Sequence, residues 1–456
     1  MPEDTITAIA TAPGYGSISI IRISGKKSLE IADKIFVSKK PKPSERQSHT
    51  IIYGKIADDN TVIDEVLLLI MRAPQSYTKE DVVEIHCHGG AIPAKKILQT
   101  VIKNGARLAE PGEFTQRAFL NGRIDLVQAE GVLDLIKAET ELSAKLAINQ
   151  IEGKLSLSLS SIYENTLSVL GDIEFSLDFL EDEFPPSFFN EKTEKLTKIN
   201  YELDKLLDSW QNGHFIKDGA VIVIAGKPNV GKSTLLNALL KKNRAIVSPI
   251  PGTTRDTIEE TLLLDNYCVR LIDTAGIRES ECPIEQEGVK RTKALLKKAD
   301  FIIYIVDVVK GWDNEDELAL QQFDYEHVIL IFNKCDLINC HAQNTEPHKA
   351  KIVLHTSFIK EEDIVKVEDA IKSFMPSSYL YGYQCVISER HRLLLLEARD
   401  FLEESIKLIS TNEPERVSVL IASNLHCVLE KIGTIIGRTY YQELLDSIFS
   451  KFCIGK

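Results

Sequence analysis

Nowhere in the 456 residues does an apolar run approach the ~20 residues that a helix needs to cross a bilayer, which predicts a cytoplasmic chain with no membrane contact. The opening MPEDTITAIATAPGYGSISIIRISG carries acidic residues where a secretory leader would be basic. No C-x-x-C pair occurs among the eight cysteines, Cys87, Cys268, Cys282, Cys335, Cys340, Cys385, Cys427 and Cys453, so reduced thiols are expected rather than a disulfide framework. HCHGG at His86 to Gly90 and CDLINCH at Cys335 to His341 cluster potential ligands, but neither has the second pair that zinc spacing requires. Positive charge is short too: a formal net charge of −13 argues against indiscriminate nucleic-acid binding, which needs clustered Lys and Arg, and leaves room for a local basic surface. Internal repeats and low-complexity tracts are lacking, and a composition 44% hydrophobic and 27% charged excludes disordered and fibrous classes.

What is present is regional. The length suggests about three domains. Over the first ~115 residues, β-rich runs such as SISIIRI and EVLLLIM mix with helical stretches such as AIPAKKILQTVIKNG, an α+β pattern. From about Leu126 helices dominate. Leu155, Leu159, Ile162, Thr166 and Val169 recur at helical spacing until Pro185 and Pro186, and Leu196, Ile199, Leu203, Leu206, Leu207 and Trp210 form a second run. AVIVIA (Ala220 to Ala225) then opens an alternation of buried strands and helices, with VRLID, FIIYIVD, VILIFN and KIVLH, the pattern of a parallel sheet. Helical patterning returns after Met375, from Glu389 to Ser410 and from Val417 onward. An α/β block inserted into a discontinuous helical domain is therefore expected, with the two helical flanks packed together.

GKPNVGKST fits a phosphate-binding loop: Gly226, four residues, then Gly231, Lys232 and Ser233, after a buried strand and before the helical TLLNALL. The glycines let main-chain N–H groups turn onto phosphate oxygens, Lys232 reaches the β and γ phosphates, and Ser233 ligates Mg²⁺. DTAG follows a strand and puts Asp273 near the Mg²⁺ and the Gly276 N–H near a γ-phosphate. In NKCD, Asp336 accepts from the N1–H and exocyclic amine of guanine, donors that adenine lacks in that arrangement. Thr254 in SPIPGTTRD is the natural second Mg²⁺ ligand. The expected GTP contacts are Asn229, Val230, Gly231, Lys232, Ser233 and Thr234, then Ser248, Pro249, Ile250, Pro251, Gly252, Thr253 and Thr254. Asp273, Thr274, Ala275 and Gly276, with Asn333, Lys334, Asp336, Thr356, Ser357 and Phe358, complete them. Related GTPases usually place Ser-Ala where Thr356, Ser357 and Phe358 stand. Ile277 also occupies the position of the water-orienting glutamine in Ras-type proteins. Activation must then come from a partner's arginine, a bound cation, or a carboxylate in RESECPIEQEG.

GKPNVGKS, PGTTRD, DTAGIRE, RISG, SYTKEDVVEIHCHGG, EPGEFTQRAFLNGRIDLVQAE and the final FCIGK together resemble the MnmE/TrmE family of bacterial tRNA wobble-uridine modification GTPases, over the whole chain. The resemblance implies an N-terminal domain (1–118) that binds a tetrahydrofolate one-carbon derivative, in the 5-formyl or 5,10-methylene form, and dimerises. It implies a helical domain in two segments (119–215 and 377–456) around an inserted G domain (216–376). G domains would pair across GTP with K⁺ held by Asn229, Ser248, Ile250 and Thr253, where the main-chain carbonyls survive the flanking Pro249 and Pro251. Glu285 would polarise the attacking water, with Arg278 nearby; without the resemblance, Glu279, Glu281, Glu285 and Glu287 read simply as a solvated acidic loop. Arg22, Glu84, Arg123 and Lys456 would contact folate, Glu84 pairing with the amide edge of the pterin.

The family also implies a homodimer, a heterotetramer with an FAD-dependent partner resembling MnmG, and a tRNA substrate modified at C5 of U34. Cys453 fails as a prenylation signal because Lys456 ends the motif, and taken alone it reads as an inert residue at a frayed end. Within the resemblance it is a candidate catalytic thiol. A different class of function, a ribosome-assembly switch GTPase, would need neither a folate pocket nor this tail and would normally carry a basic appendage.

Overall fold

The computed structural model describes residues 4–38, 41–59, 61–177, 188–217, 219–243, 259–265, 267–273, 299–321, 324–337, 350–375, 385–410 and 417–456, and the structural statements that follow concern these residues. They form two compact units: Met1–Leu133, Gln150–Asn200 and Glu397–Lys456 in one, Asp134–Asn149 and Tyr201–Leu396 in the other.

The first unit opens with β1 (Ile6–Ile9), β2 (Ile18–Ser24), α1 (Ser28–Ile35), β3 (Phe36–Val37), β4 (Thr50–Asp58), β5 (Thr61–Met71), β6 (Val82–His88), α2 (Ala91–Lys103) and β7 (Arg107–Leu108). The strands make a seven-stranded sheet in the order β3-β4-β5-β6-β2-β1-β7, antiparallel except where β7 lies parallel to β1. Alternation with period two decides its faces. Ile21, Ile23, Ile52, Val66, Leu68, Ile70, Val83 and Ile85 point to one side, buried under Ile31 and Ile35 of α1 and Ile97 and Val101 of α2. The other side of the same strands carries Arg22, Glu84 and His86 beside exposed Ile18, Ile51, Tyr53 and Leu67.

Next come α3 (Glu113–Leu120), α4 (Leu126–Lys137), α5 (Glu141–Ile151), α6 (Lys154–Leu177) and α7 (Phe188–Lys217). The spaced residues Leu155, Leu159, Ile162, Thr166 and Val169 are all buried, as helical periodicity requires. Pro185 and Pro186 lie outside the described residues.

The second unit holds β8 (Ala220–Gly226), α8 (Lys232–Asn243), β9 (Glu259–Leu264), β10 (Tyr267–Asp273), β11 (Phe301–Asp307), α9 (Asn314–Leu320), β12 (Val328–Asn333), β13 (Ile352–His355) and α10 (Glu361–Phe374). Five strands are parallel, in the order β13-β12-β11-β8-β10, as their all-apolar runs predict. The pattern missed β9, which pairs antiparallel with β10 through a turn where Asp265 takes φ 53°. TLLL in β9 has no alternation to mark it as a strand.

The chain closes with α11 (Glu389–Ile409), α12 (Ser418–Ile436) and α13 (Gln442–Phe449). α12 packs against α6, and His426 Nε2 lies 2.8 Å from Glu174 Oε1, so the two helical flanks do meet. At 19 residues and mean hydropathy 1.5, α12 is long and apolar enough to cross a membrane, contrary to the expectation from the sequence. More than half of it is buried inside the unit, which accounts for its apolar composition as that of a core helix. It ends at Gly437, whose φ of 79° suits a helix C-terminus and whose missing side chain admits the Phe119 ring. The expected helix from Val417 onward is thus two helices and a returning tail. Within the first unit that tail packs back on the N-terminal region: Phe452 is buried with Phe449 and Leu445, Ile454 bridges Pro111, and Gly455 approaches the Ile9 carbonyl too closely for any Cβ.

Candidate functional site

The nucleotide loop is built where parallel strands end. Gly226, Asp273, Asp307 and Asn333 close β8, β10, β11 and β12 at one edge of the sheet, the edge at which α/β proteins collect ligands. From Gly226 to the first turn of α8 the backbone takes left-handed φ values at Gly226 (138°), Asn229 (64°) and Gly231 (110°). Gly231 is required twice, because a Cβ there would also stand 2.5 Å from Asn333 Nδ2. Buried Asn333 uses both ends of its amide, donating to Val230 O at 2.8 Å and accepting from the Phe358 N–H at 3.2 Å. Lys334 donates to Asn229 O at 2.9 Å and to Asp307 Oδ2 at 2.6 Å. Burial opposes ionisation of Asp307, but Lys334 and the Val309 N–H outweigh it and hold the carboxyl below its ordinary value. Lys232 is buried, its ammonium donating to the Gly226 and Lys227 carbonyls at 2.8 Å each, inside the turn that surrounds phosphate in this motif. Lys227 is held to Asp313 and Asp316, and Asp316 also accepts from buried Tyr304.

The segment after β13 joins the same network. Thr356 N–H donates to Phe332 O at 2.9 Å and its carbonyl accepts from the Cys335 N–H at 3.1 Å. Ser357, buried, donates from Oγ to Asp336 Oδ1 at 2.5 Å, so it orients the carboxylate assigned to guanine. Phe358 fills core space beside Gly231. Asn229, Val230, Gly231, Lys232, Asn333, Lys334, Asp336, Ser357 and Phe358 are thus brought together, with Ser233 and Thr234 opening α8. Asp273 ends β10 beside Ile224 of β8. Ser248, Pro249, Ile250, Pro251, Gly252, Thr253, Thr254, Thr274, Ala275, Gly276, Arg278 and Glu285 lie outside the described residues.

A second cluster occupies the sheet face opposite α1 and α2, where Phe114 of α3 packs against Ile6 and Ala8 of β1. Arg22 and Glu84 are register partners on β2 and β6, and Arg22 Nε donates to Glu84 Oε1 at 2.8 Å. The second carboxylate oxygen lies 3.3 Å from His86 Nε2, two residues along the same strand. Arg22 also reaches the Gly455 carbonyl at 3.4 Å, which brings the tail to the cluster, and its guanidinium lies 5.5 and 5.6 Å from the Tyr77 and Phe114 rings. Arg123 covers Tyr77 at 4.6 Å and donates to its carbonyl at 3.1 Å. Cys453 is exposed, its carbonyl accepting from the Gly112 and Lys456 N–H groups. Of the four expected folate contacts, Arg22 and Arg123 flank Tyr77, Glu84 pairs with Arg22, and Lys456 stands next to the Gly455 that Arg22 touches. Sequence reasoning weighed His86 only as a metal ligand and passed over Tyr77 and Phe114. The i, i+2 spacing of Glu84 and His86 on a strand was the one available signal.

A phosphate-binding loop between a buried parallel strand and a helix, interlocked with an Asn-Lys-x-Asp strand end, defines a P-loop GTPase. Residues 5–123 match the family described as GTP-binding protein TrmE N-terminus, and 126–453 match the MnmE helical domain. The tRNA modification GTPase MnmE of Alkaliphilus oremlandii is 43% identical over 100% of this chain and 99% of its own length. That of Carboxydothermus hydrogenoformans is 42% identical over 100% of both. The chain belongs to the MnmE family of tRNA modification GTPases. Among solved structures, the G domain of the T. maritima FeoB iron transporter is 26% identical over 34% of this chain and 98% of that one, at a TM-score of 0.24.

Proposed function

We propose that this GTPase couples GTP hydrolysis to modification of C5 of the wobble uridine U34 of certain tRNAs, installing an aminomethyl or carboxymethylaminomethyl group with a folate-borne carbon. The interlock of Asn333, Val230 and Phe358, with Asp336 oriented by Ser357, carries the nucleotide half of this reading. Lys232 would hold the β and γ phosphates, and Ser233 with Thr254 the Mg²⁺. Asn229 is exposed on the loop with its main-chain oxygen taken by Lys334, which leaves its side-chain amide to face K⁺, alongside Ser248, Ile250 and Thr253. A cation there stabilises charge that develops between the β and γ phosphates. Glu285 is assigned the polarising of water when two G domains pair, with Arg278 assisting.

The Arg22, Glu84 and His86 cluster fits a pterin. A carboxylate with both oxygens oriented matches the N–H edge of an aminopyrimidinone, and cationic Arg22, Arg123 and Lys456 suit its polar and anionic groups. Exposed Ile18, Ile51, Tyr53 and Leu67 flank the cluster on the same sheet face, an apolar surface suited to a second copy of the chain. The homodimer would join an FAD-dependent MnmG-like partner as a heterotetramer in the cytoplasm, the partner bringing much of the tRNA surface. Cys453 serves as a catalytic thiol in this reading, which divides the chain into 1–118, 119–215, 216–376 and 377–456.

The deciding assay compares GTPase rates in K⁺ and in Na⁺ for the wild type and Glu285→Ala. A K⁺-dependent rate that the substitution abolishes supports the reading; equal rates in both salts would sink the cation-bridged dimer. Mass analysis of wobble uridine from cells lacking the protein separates this function from a ribosome-assembly switch, for which U34 would be unchanged.

A further inference from the structure

Beside the Arg22 and Glu84 cluster lies a cavity of about 560 Å³ lined by His49, Met71, Pro74 to Tyr77, Lys79 and Arg123. Its chemistry differs from that of its neighbour. The neighbouring cluster pairs a cation with a carboxylate, whereas the cavity lining holds two permanent cations and an imidazole and no carboxylate at all. The polar groups are held by backbone. Lys79 Nζ donates to Gly122 O at 2.8 Å, Arg123 Nη1 to Tyr77 O at 3.1 Å, and Asn121 Nδ2 to Thr78 O at 2.6 Å, so the 121–123 turn and the 77–79 loop are stapled to each other. His49 Nδ1 is engaged by Ser48 Oγ at 2.8 Å. His49 and Lys79 both take left-handed backbone, φ 60° and 57°, a conformation disfavoured for L side chains that the surrounding structure maintains.

Tyr77 joins the two places. Its ring is flanked by Arg22 of the cluster and Arg123 of the cavity, and its hydroxyl is fixed by Thr115 Oγ1 at 2.9 Å. A ligand with a flat head on Glu84 and an anionic end would cross this ring to reach the cations. A folate has that layout: a pterin, a rigid aminobenzoyl spacer suited to an aromatic face, and a chain of glutamates with one further carboxylate for each added residue.

We infer that this cavity binds the glutamate carboxylates of a polyglutamylated folate and makes the site selective for chain length. The inference rests on the folate reading of the neighbouring cluster. Arg123 and Lys79 supply charge-assisted hydrogen bonds to the carboxylates, and His49 adds a ring N–H at the cavity wall.

The test titrates the full-length protein with 5-formyltetrahydrofolate bearing one glutamate and bearing three, by calorimetry at two salt concentrations. The triglutamyl form is expected to bind about tenfold more tightly, the worth of one added charge-assisted contact, and to lose most of that advantage at high salt. Lys79→Asn and His49→Asn remove the side chains while keeping a residue that tolerates positive φ, and each should shrink the ratio of the two affinities toward unity. A purely structural role for Lys79 would weaken both forms together and leave their ratio intact, which would overturn the inference. Equal wild-type affinities for the two forms would also overturn it while leaving the folate reading standing. Absence of binding by either form would remove the folate reading and this inference with it. A tenfold advantage retained in both variants, with tRNA binding lost instead, would reassign the cavity to nucleic-acid phosphate and refute the glutamate assignment.

Discussion

The nucleotide loop and the Arg22 and Glu84 cluster are assembled in opposite ways. In the loop each motif is contiguous and folds at its own strand end, and tertiary contacts only lock one motif to the next, as Asn333 does through Val230 and Phe358. In the cluster no two partners except Glu84 and His86 are close in sequence: Arg22 meets Glu84 across a β-ladder, Tyr77 and Phe114 from loop and helix, and Gly455 from the tail. A loop of the first kind survives distant substitutions because its geometry is local. A cluster of the second kind depends on the whole sheet and on the tail's docking.

The comparison can be broken most severely at Arg117. Its side chain is 4% exposed and meets Asp4, Glu80 and Glu113, so it ties the segment before β1, α3 and the loop before β6. Arg117→Met leaves Glu80 without this cation and Asp4 and Glu113 with Arg107 alone, and should cost about 3 kcal/mol in the first unit, read as a lowered calorimetric transition. GTP affinity should be unchanged; a parallel loss of GTP binding would show that the two sites are not built independently. Asp336→Asn should act in the opposite direction, lowering GTP affinity roughly 100-fold with folate binding intact, since the unpaired guanine donors cost about 3 kcal/mol. Xanthosine triphosphate should recover binding in that variant, because its C2 carbonyl accepts from the new amide.

Smaller effects sharpen the contrast. Glu84→Gln should weaken 5-formyltetrahydrofolate about tenfold without changing intrinsic GTP turnover, measured by calorimetry and phosphate release. Acidification should reach both regions. Burial opposes ionisation of Glu113, yet Arg107, the Glu110 N–H and Arg117 lower its folded value beneath the ordinary 4.5, and Asp307 is lowered beneath 3.8. With folded values depressed, the stabilisation is complete above the ordinary value and is lost as pH falls through the folded one. Melting temperature should therefore keep these contributions down to about pH 5 and lose them progressively as pH falls further, the deficit of Asp307→Asn relative to wild type shrinking below about pH 4. The smallest perturbation is alkylation. Burial pushes the Cys87 thiol up to about 11, and burial with the Glu139 carboxylate pushes Cys268 up to about 12, whereas Cys453 is exposed. Peptide mapping after iodoacetamide at pH 8 should find Cys453 modified at least about 100-fold faster than either.

The regular elements were legible where periodicity was strong. The five parallel strands and the buried stripe of α6 follow directly from apolar runs and helical spacing, and both lie where expected. β9 was illegible because TLLL has no period, and the break at Gly437 was hidden because a helical pattern resumes in α13. At the sites, the residues of the loop announced themselves, but the role of Ser357 in orienting Asp336 did not, since it depends on two loops approaching within 2.5 Å. Arg22 and Glu84 were reached only through family resemblance, and His86 was weighed only as a metal ligand, not as a partner of Glu84.

The amino-acid sequence by itself determined the class of nucleotide, the parallel sheet and the insertion of one compact region within helical flanks, because each rests on spacing within a few residues or on the order of segments. Tertiary structure alone decided that α1 and α2 cover one sheet face while Phe114 of α3 meets Arg22 on the other, that the tail returns to Arg22, and that Lys79, His49 and Arg123 share a cavity next to Tyr77. Those outcomes depend on ladder register and on close approaches such as Gly455 against Ile9, which join residues hundreds of positions apart and leave no local pattern to read.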